Sequence, residues 1–174
     1  PPVPLSATEF ITKVTCNGDG DGRIDLSVVG GTPGYTYEWS HDSTLDSPSA
    51  TGLTPGLYDV NITDAHGCEF DIADMEIVQP DTLVASADGT QVTCYGAGDG
   101  TAQASAVGGN PIVAPSYTYT WTRAGDTTGW SDTGDDITGL GPGTYEVTAT
   151  DPEGCNDTAT FEVLEPDQMV FDTL

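Results

Sequence analysis

Ile24, Leu26 and Val28 alternate with Asp25 and Ser27. Tyr35, Tyr37 and Trp39 alternate with Thr36 and Glu38, and Tyr58, Val60 and Ile62 alternate with Asp59, Asn61 and Thr63. A period of two predicts strands with one buried face; no stretch shows the 3.6-residue period of a helix. Between these runs lie Gly-Gly, Pro-Gly and Asp-x-x-Gly turns, which supply fixed or positive φ. Several short strands per roughly 80 residues, punctuated by such turns, predict an all-β chain built as an antiparallel Ig-like β-sandwich. Leu53 to Tyr58 and Leu140 to Tyr145 have the form of a tyrosine corner, in which a Tyr at a strand start bonds back across the preceding turn.

The pattern occurs twice. Val14-Thr15-Cys16, Asp21-Gly22, Gly30-Gly31, Tyr35 to Trp39, Gly52-Leu53, Tyr58, Asp64, Gly67-Cys68 and Pro80-Asp81 return in order. Their counterparts are Val92-Thr93-Cys94, Asp99-Gly100, Gly108-Gly109, Tyr117 to Trp121, Gly139-Leu140, Tyr145, Asp151, Gly154-Cys155 and Pro166-Asp167. The second copy is longer by four residues before Tyr117 and by five between Trp121 and Gly139, as surface loops tolerate. The domains expected are therefore 1–80 and 81–167, with 168–174 as the start of a third repeat or a linker, and with neighbouring repeats of the same chain as partners. Four Cys allow three connectivities. The repeat selects Cys16–Cys68 and Cys94–Cys155, one disulfide per domain, worth roughly 4 kcal/mol each in the chain-entropy model.

Composition narrows the function. The chain has 28 Asp+Glu against 3 Lys+Arg, a formal net charge of −25 at pH 7. Nucleic acid is excluded as a partner, because phosphate recognition needs clustered Lys and Arg. No apolar run is long enough for a membrane-spanning helix, so membrane insertion is not expected. Widely spaced Cys without C-x-x-C speak for disulfides in an oxidising, extracytoplasmic place rather than for zinc. His41 and His66 are isolated, and no nucleophile–base or phosphate-loop pattern appears, so no enzyme is expected.

The motifs together resemble the SprB-type repeat of bacteroidete cell-surface proteins. The resemblance rests on Val14 to Gly22, Gly30 to Trp39 and Leu53 to Cys68, and on Val92 to Gly100, Gly108 to Trp121 and Leu140 to Cys155. It implies a secreted, extracellular cell-surface repeat protein with adhesion or gliding motility as its broad role, and it brings no catalytic residues.

Four candidate sites remain. Asn17, Asp19, Asp21 and Asp25 mimic the oxygen-ligand spacing of an EF-hand loop, a candidate Ca²⁺ site. Position 12 of that loop is Val28 rather than Glu, and the second copy keeps only Asp99, so a shared Asp-Gly turn competes with the metal reading. A junction site built from Asp64 or Asp151 with Asp81 or Asp167 is a further cation candidate. Trp130, in the insertion of the second copy with Arg123 and Asp126, is a candidate platform for a sugar ring. Bacteroidete O-glycosylation at Asp-Ser/Thr makes Thr82, Thr158 and Thr173 candidate acceptors through the resemblance. The expected function is a stalk or adhesive segment of a surface adhesin that meets a surface ligand. The alternative is a carbohydrate-binding module using Trp130 on a glycan.

Overall fold

A computed structural model describes residues 3–110 and 117–170 of the protein. The chain divides into two compact units, Pro1–Pro80 and Asp81–Leu174. No helix occurs among the described residues.

The first unit contains β1 (Ser6–Thr12), β2 (Gly22–Val29), β3 (Thr36–Trp39), β4 (Ser49–Leu53), β5 (Gly56–Thr63) and β6 (Glu69–Ile77). One sheet has the order β1-β2-β4 and the other β3-β5-β6, with every recorded pairing antiparallel. That is the A-B-E and C-F-G division of an immunoglobulin sandwich. The second unit repeats it with β7 (Asp81–Thr90), β8 (Gly100–Gly109), β9 (Thr118–Arg123), β10 (Ser131–Thr133), β11 (Asp136–Leu140), β12 (Gly143–Thr150) and β13 (Asn156–Val163). Its sheets are β7-β8-β11 and β10-β9-β12-β13. Strand β10 comes from the five-residue insertion and extends the second sheet beyond β9. The four-residue insertion before Tyr117 falls largely outside the described residues.

The alternating runs became strands with the expected faces. Along β5, Tyr58, Val60 and Ile62 are buried while Asp59 is exposed. Each core centres on the Trp of the C-position strand. Trp39 and Trp121 are fully buried, and their indole N–H groups donate to Ser47 O at 2.9 Å and Gly134 O at 3.0 Å. A buried indole without such an acceptor would leave a costly unsatisfied donor. Both tyrosine corners form: Tyr58 donates to Thr54 O at 2.8 Å and Tyr145 to Gly141 O at 3.0 Å. In both copies the glycine before the corner, Gly52 or Gly139, has φ near +72° and sits where the register shifts. A left-handed bulge residue there lets the strand turn into the corner without a Cβ penalty.

The cysteine pairing departs from expectation. Cys68 and Cys94 are free thiols on the surface. Neither Cys16–Cys68 nor Cys94–Cys155 forms. The reason lies in where each unit puts its two cysteines. Cys16 follows β1 at the trailing end, where the chain leaves the unit. There Val14 N–H donates to Val78 O, and the neighbouring Asn17 donates to Pro80 O. Cys68 sits at the leading end, on the β5–β6 turn, beside the Gly30-Gly31 loop that meets Val3 and Pro4. The eight-residue strand β2 runs between these ends. At about 3.3 Å per residue it spans about 26 Å, far beyond the roughly 7 Å limit on Cα separation in a disulfide. The second unit repeats this, with Cys94 near Leu164 and Glu165 and Cys155 on the β12–β13 turn.

Candidate functional site

The polar motif residues shared by both copies converge on turns. Asp64 is buried, and its carboxylate accepts three backbone N–H groups: His66 at 2.8 Å, Cys68 at 2.9 Å and Thr32 at 2.9 Å. Asp151 is also buried and accepts from Glu153 at 3.0 Å, Cys155 at 2.9 Å and Asn110 at 2.8 Å. Each carboxylate thus ties the tip of one hairpin to the Gly-Gly loop of the opposite sheet. The bonds from Cys68 and Thr32 hold the Asp64 carboxyl below its ordinary range. His66 stands beside this turn, its Nδ1 2.6 Å from Thr32 Oγ1.

The Gly-Gly pairs exist because of this packing. A Cβ on Gly30 would sit 1.9 Å from Pro4 O, and one on Gly108 would sit 2.0 Å from Thr82 O. A Cβ on Gly31 or Gly109 would meet the Asp64 or Asp151 carboxylate at 2.8 or 2.7 Å. Tyr35 and Tyr117 close the same region by donating to Gly30 O and Gly108 O at 2.6 and 2.7 Å. Tyr117 does so despite the longer loop before it.

The EF-hand-like segment is a turn in both copies. Asp21 accepts from Thr15 N–H at 2.9 Å, as Asp99 does from Thr93 N–H at 2.9 Å. Bonds from the side chain and backbone of Thr15 lower the Asp21 carboxyl, and those of Thr93 lower Asp99. Of the other candidate ligands, Asp19 accepts from Cys16 N–H at 3.2 Å and Asn17 donates to Pro80 O at 2.8 Å. Asp25 lies on β2, where Arg23 holds it in a two-pronged ion pair at 2.5 and 2.6 Å and Ser49 donates to it at 2.5 Å. The four oxygen donors are therefore not turned toward one point. Among the described residues, no group of three or more His, Cys, Asp or Glu side chains is arranged to hold a metal ion.

Arg123, Asp126 and Trp130 do come together. With Thr128 and Tyr145 they line a depression of about 400 Å³. They also engage one another. Asp126 accepts from Trp130 N–H at 2.6 Å and from Thr128 Oγ1 at 2.9 Å, and these bonds lower its carboxyl. Trp130 is half-buried against the second core, edge-on to Tyr145 with ring centroids 5.3 Å apart. Arg123 lies 5.7 Å over the same Tyr145 ring and donates to Pro142 O. Sequence reasoning missed the counterpart in the first unit. His41, read there as an isolated loop residue, stacks edge-on against Tyr58 at 5.1 Å and Trp39 at 5.9 Å. Of the candidate glycosylation sites, Thr82 and Thr158 are exposed on β7 and β13, and Thr173 lies outside the described residues.

Sheet order, buried Trp and tyrosine corner define the class: two tandem Ig-like β-sandwich modules. The family model described as the SprB repeat matches residues 8–44 and 86–126, once in each unit, consistent with two tandem copies. SprB repeats belong to cell-surface proteins. They and Ig-like folds are typically non-catalytic structural modules. No curated protein matches the chain. Similar solved structures include one on the structural basis for Dscam isoform specificity, at 11% identity, covering 95% of this chain and 47% of that one, with a TM-score of 0.42. Another is an amphioxus IgVJ-C2 molecule, at 16% identity, covering 91% and 96%, with a TM-score of 0.36. A third is a C-terminal fragment of intimin in complex with the intimin-binding domain of its translocated receptor. It has 18% identity, coverage of 94% and 64%, and a TM-score of 0.38. The chain spans about half the length of the Dscam structure it matches.

Proposed function

We propose that this chain is a stalk segment of a secreted bacterial adhesin: a non-catalytic spacer that carries a binding part away from the cell surface. One observation carries the reading. The polar residues repeated between the copies, Asp21, Asp64, Asp99 and Asp151, are all engaged with their own unit's backbone. What the two copies share is thus fold-keeping, and a repeated fold without a repeated ligand group suits a spacer. The strong negative charge suits an extracellular surface, where salt screens it and like-charged stalks stay apart.

The second reading, a glycan-binding module, is favoured by the shared depression of Arg123, Asp126, Trp130 and Tyr145. A glycan array probed with the chain separates the two. The stalk reading expects a blank array. Glycan binding that Trp130→Ala abolishes, with the fold intact by circular dichroism, would establish the module instead.

A further inference from the structure

Asn17 and Gly18 form the one Asn-Gly pair in the chain. Asn61 precedes Ile62, Asn110 precedes Pro111 and Asn156 precedes Asp157. An asparagine side-chain amide is open to attack by the backbone nitrogen of the next residue. Glycine leaves that nitrogen unhindered because it has no Cβ. A β-branched Ile crowds the approach, and Pro has no N–H to give up. Both residues of the pair are exposed, and open space surrounds the point where a Cβ on Gly18 would sit.

The fold gives each reacting group another partner. Asn17 Nδ2 donates to Pro80 O at 2.8 Å, and Gly18 N–H donates to Gln79 Oε1 at 3.0 Å. Attack needs the Gly18 nitrogen to lose its proton and turn onto Asn17 Cγ, so both bonds must open first. The second unit keeps this frame without the reactive amide. There Tyr95 stands in the place of Asn17, and Gly96 N–H donates to Glu165 Oε2 at 3.3 Å. Gln79 and Glu165 occupy matching positions, each just before a Pro-Asp pair. Both units thus clamp their exit segment to the same turn, but only the first places a labile amide in the clamp.

We infer that Asn17 is a site of spontaneous deamidation, that the Gln79–Pro80 segment is its brake, and that the reaction in turn releases that segment. The inference does not depend on the stalk reading, since it concerns a change in the chain itself and not what the chain binds. The deprotonated Gly18 nitrogen attacks Asn17 Cγ and the Cγ–Nδ2 bond breaks. The departing amide nitrogen takes up the proton that Gly18 lost and leaves as ammonia, and a cyclic imide remains. Water then opens the imide. Cleavage of the bond from Gly18 N to Cγ gives aspartate, and cleavage of the bond to the backbone carbonyl carbon gives isoaspartate. Nothing is oxidised or reduced. Either product has lost the donor to Pro80 O and sets a carboxylate in its place, and isoaspartate also reroutes the main chain ahead of Gly18.

The test incubates the full chain in mildly alkaline buffer, folded and unfolded in guanidinium, and follows Asn17 by peptide mapping. The readouts are the mass gain of an amide-to-acid exchange and the separation of isoaspartate from aspartate. Asn17 should convert about thirtyfold more slowly in the folded chain, the factor expected when two ordinary hydrogen bonds must open. Gln79→Ala should speed the folded reaction about fivefold, as one such bond is lost. Gln79→Glu, which supplies the acceptor used in the second unit, should stay near the wild-type rate. Asn17→Asp stands for the product and should raise hydrogen exchange at the Gly18 amide about fivefold. Equal rates in the folded and unfolded chain overturn the inference, as does a Gln79→Ala rate no faster than wild type. Unchanged Gly18 exchange in Asn17→Asp overturns the release. Circular dichroism checks the fold of each variant, and substitution at these exposed positions should leave the spectrum unchanged.

Discussion

Strand β2 of the first unit brings Ile24, Leu26 and Val28 to its inner face, where β8 of the second brings Ala102, Ala104 and Ala106. Each exchange removes several methyl groups, yet Trp121, Val147 and Ala149 are completely buried. The second unit adds an aromatic side chain to its core from the insertion. That segment adds β10 at the sheet edge and lays Trp130 against Tyr145. In the first unit the corner tyrosine meets the smaller, exposed His41 edge-on instead. A second contrast lies on the last strand. The first unit has one more residue there, and it appears as a bulge at Asp74, whose φ is +59° and whose N–H donates to Asp59 at 2.9 Å. The second unit pairs β12 with β13 without a shift. The comparison teaches that an insertion which reads as a ligand loop also completes a small core.

That contrast sets the order of the expected effects. Trp130→Ala should destabilise the second unit by roughly 2–3 kcal/mol, somewhat below the range for a fully buried Trp because the ring is half-buried. His41→Ala should cost the first unit less than about 1 kcal/mol. Denaturant titration of each variant, with hydrogen exchange assigning the loss to a unit, checks the pair. Equal losses would break the argument that the insertion supplies core. Next comes Asp151→Ala, which strands three N–H groups in a buried turn and should cost roughly 1–3 kcal/mol, confined to the second unit.

Acid should separate the units more gently. In the first unit Asp21, Asp25, Asp42 and Asp64 are held below the ordinary value of 3.8, and in the second Asp99 and Asp126 are. A carboxyl lowered by folding makes the unfolded chain the better proton binder. Its stabilisation is therefore complete above the unfolded value near 4 and is lost as pH falls through the folded values. Unit-resolved melting between pH 7 and pH 2 should show a flat plateau above pH 5 and a steeper acid decline in the first unit. The smallest effect is expected from chelator. The donors of the EF-hand-like loop already have protein partners, so the melting of the first unit should not move. A chelator-induced drop that Asp19→Ala removes would restore the calcium reading.

The strands, the buried Trp pair and the tyrosine corners were legible because each rests on local signals: a period of two, a Pro-Gly turn, a Tyr two residues on. The cysteine partners were not. Repetition says that two cysteines belong to one copy, but only the path of β2 shows that they lie at opposite ends of the fold. The spacing of Asn17, Asp19, Asp21 and Asp25 matches a ligand loop, but spacing in sequence does not by itself bring side-chain oxygens to one point. The structure instead turns Asp25 onto Arg23 along a strand and Asp21 back onto Thr15. The role of Asp64 and Asp151 was half visible. Asp-x-x-Gly marks a turn, but the reach to Thr32 and Asn110 is a long-range bond that no local pattern encodes.

The central claim is that the aspartates shared by the repeats hold the fold together and are not ligand groups. Native-state amide hydrogen exchange tests it most directly. The loop amides of Thr32, His66 and Cys68, with those of Asn110, Glu153 and Cys155, should be protected nearly as well as the strands beside them. Asp64→Ala and Asp151→Ala should each release only their own trio. Exchange of these six amides at unprotected loop rates in the wild type would contradict the account.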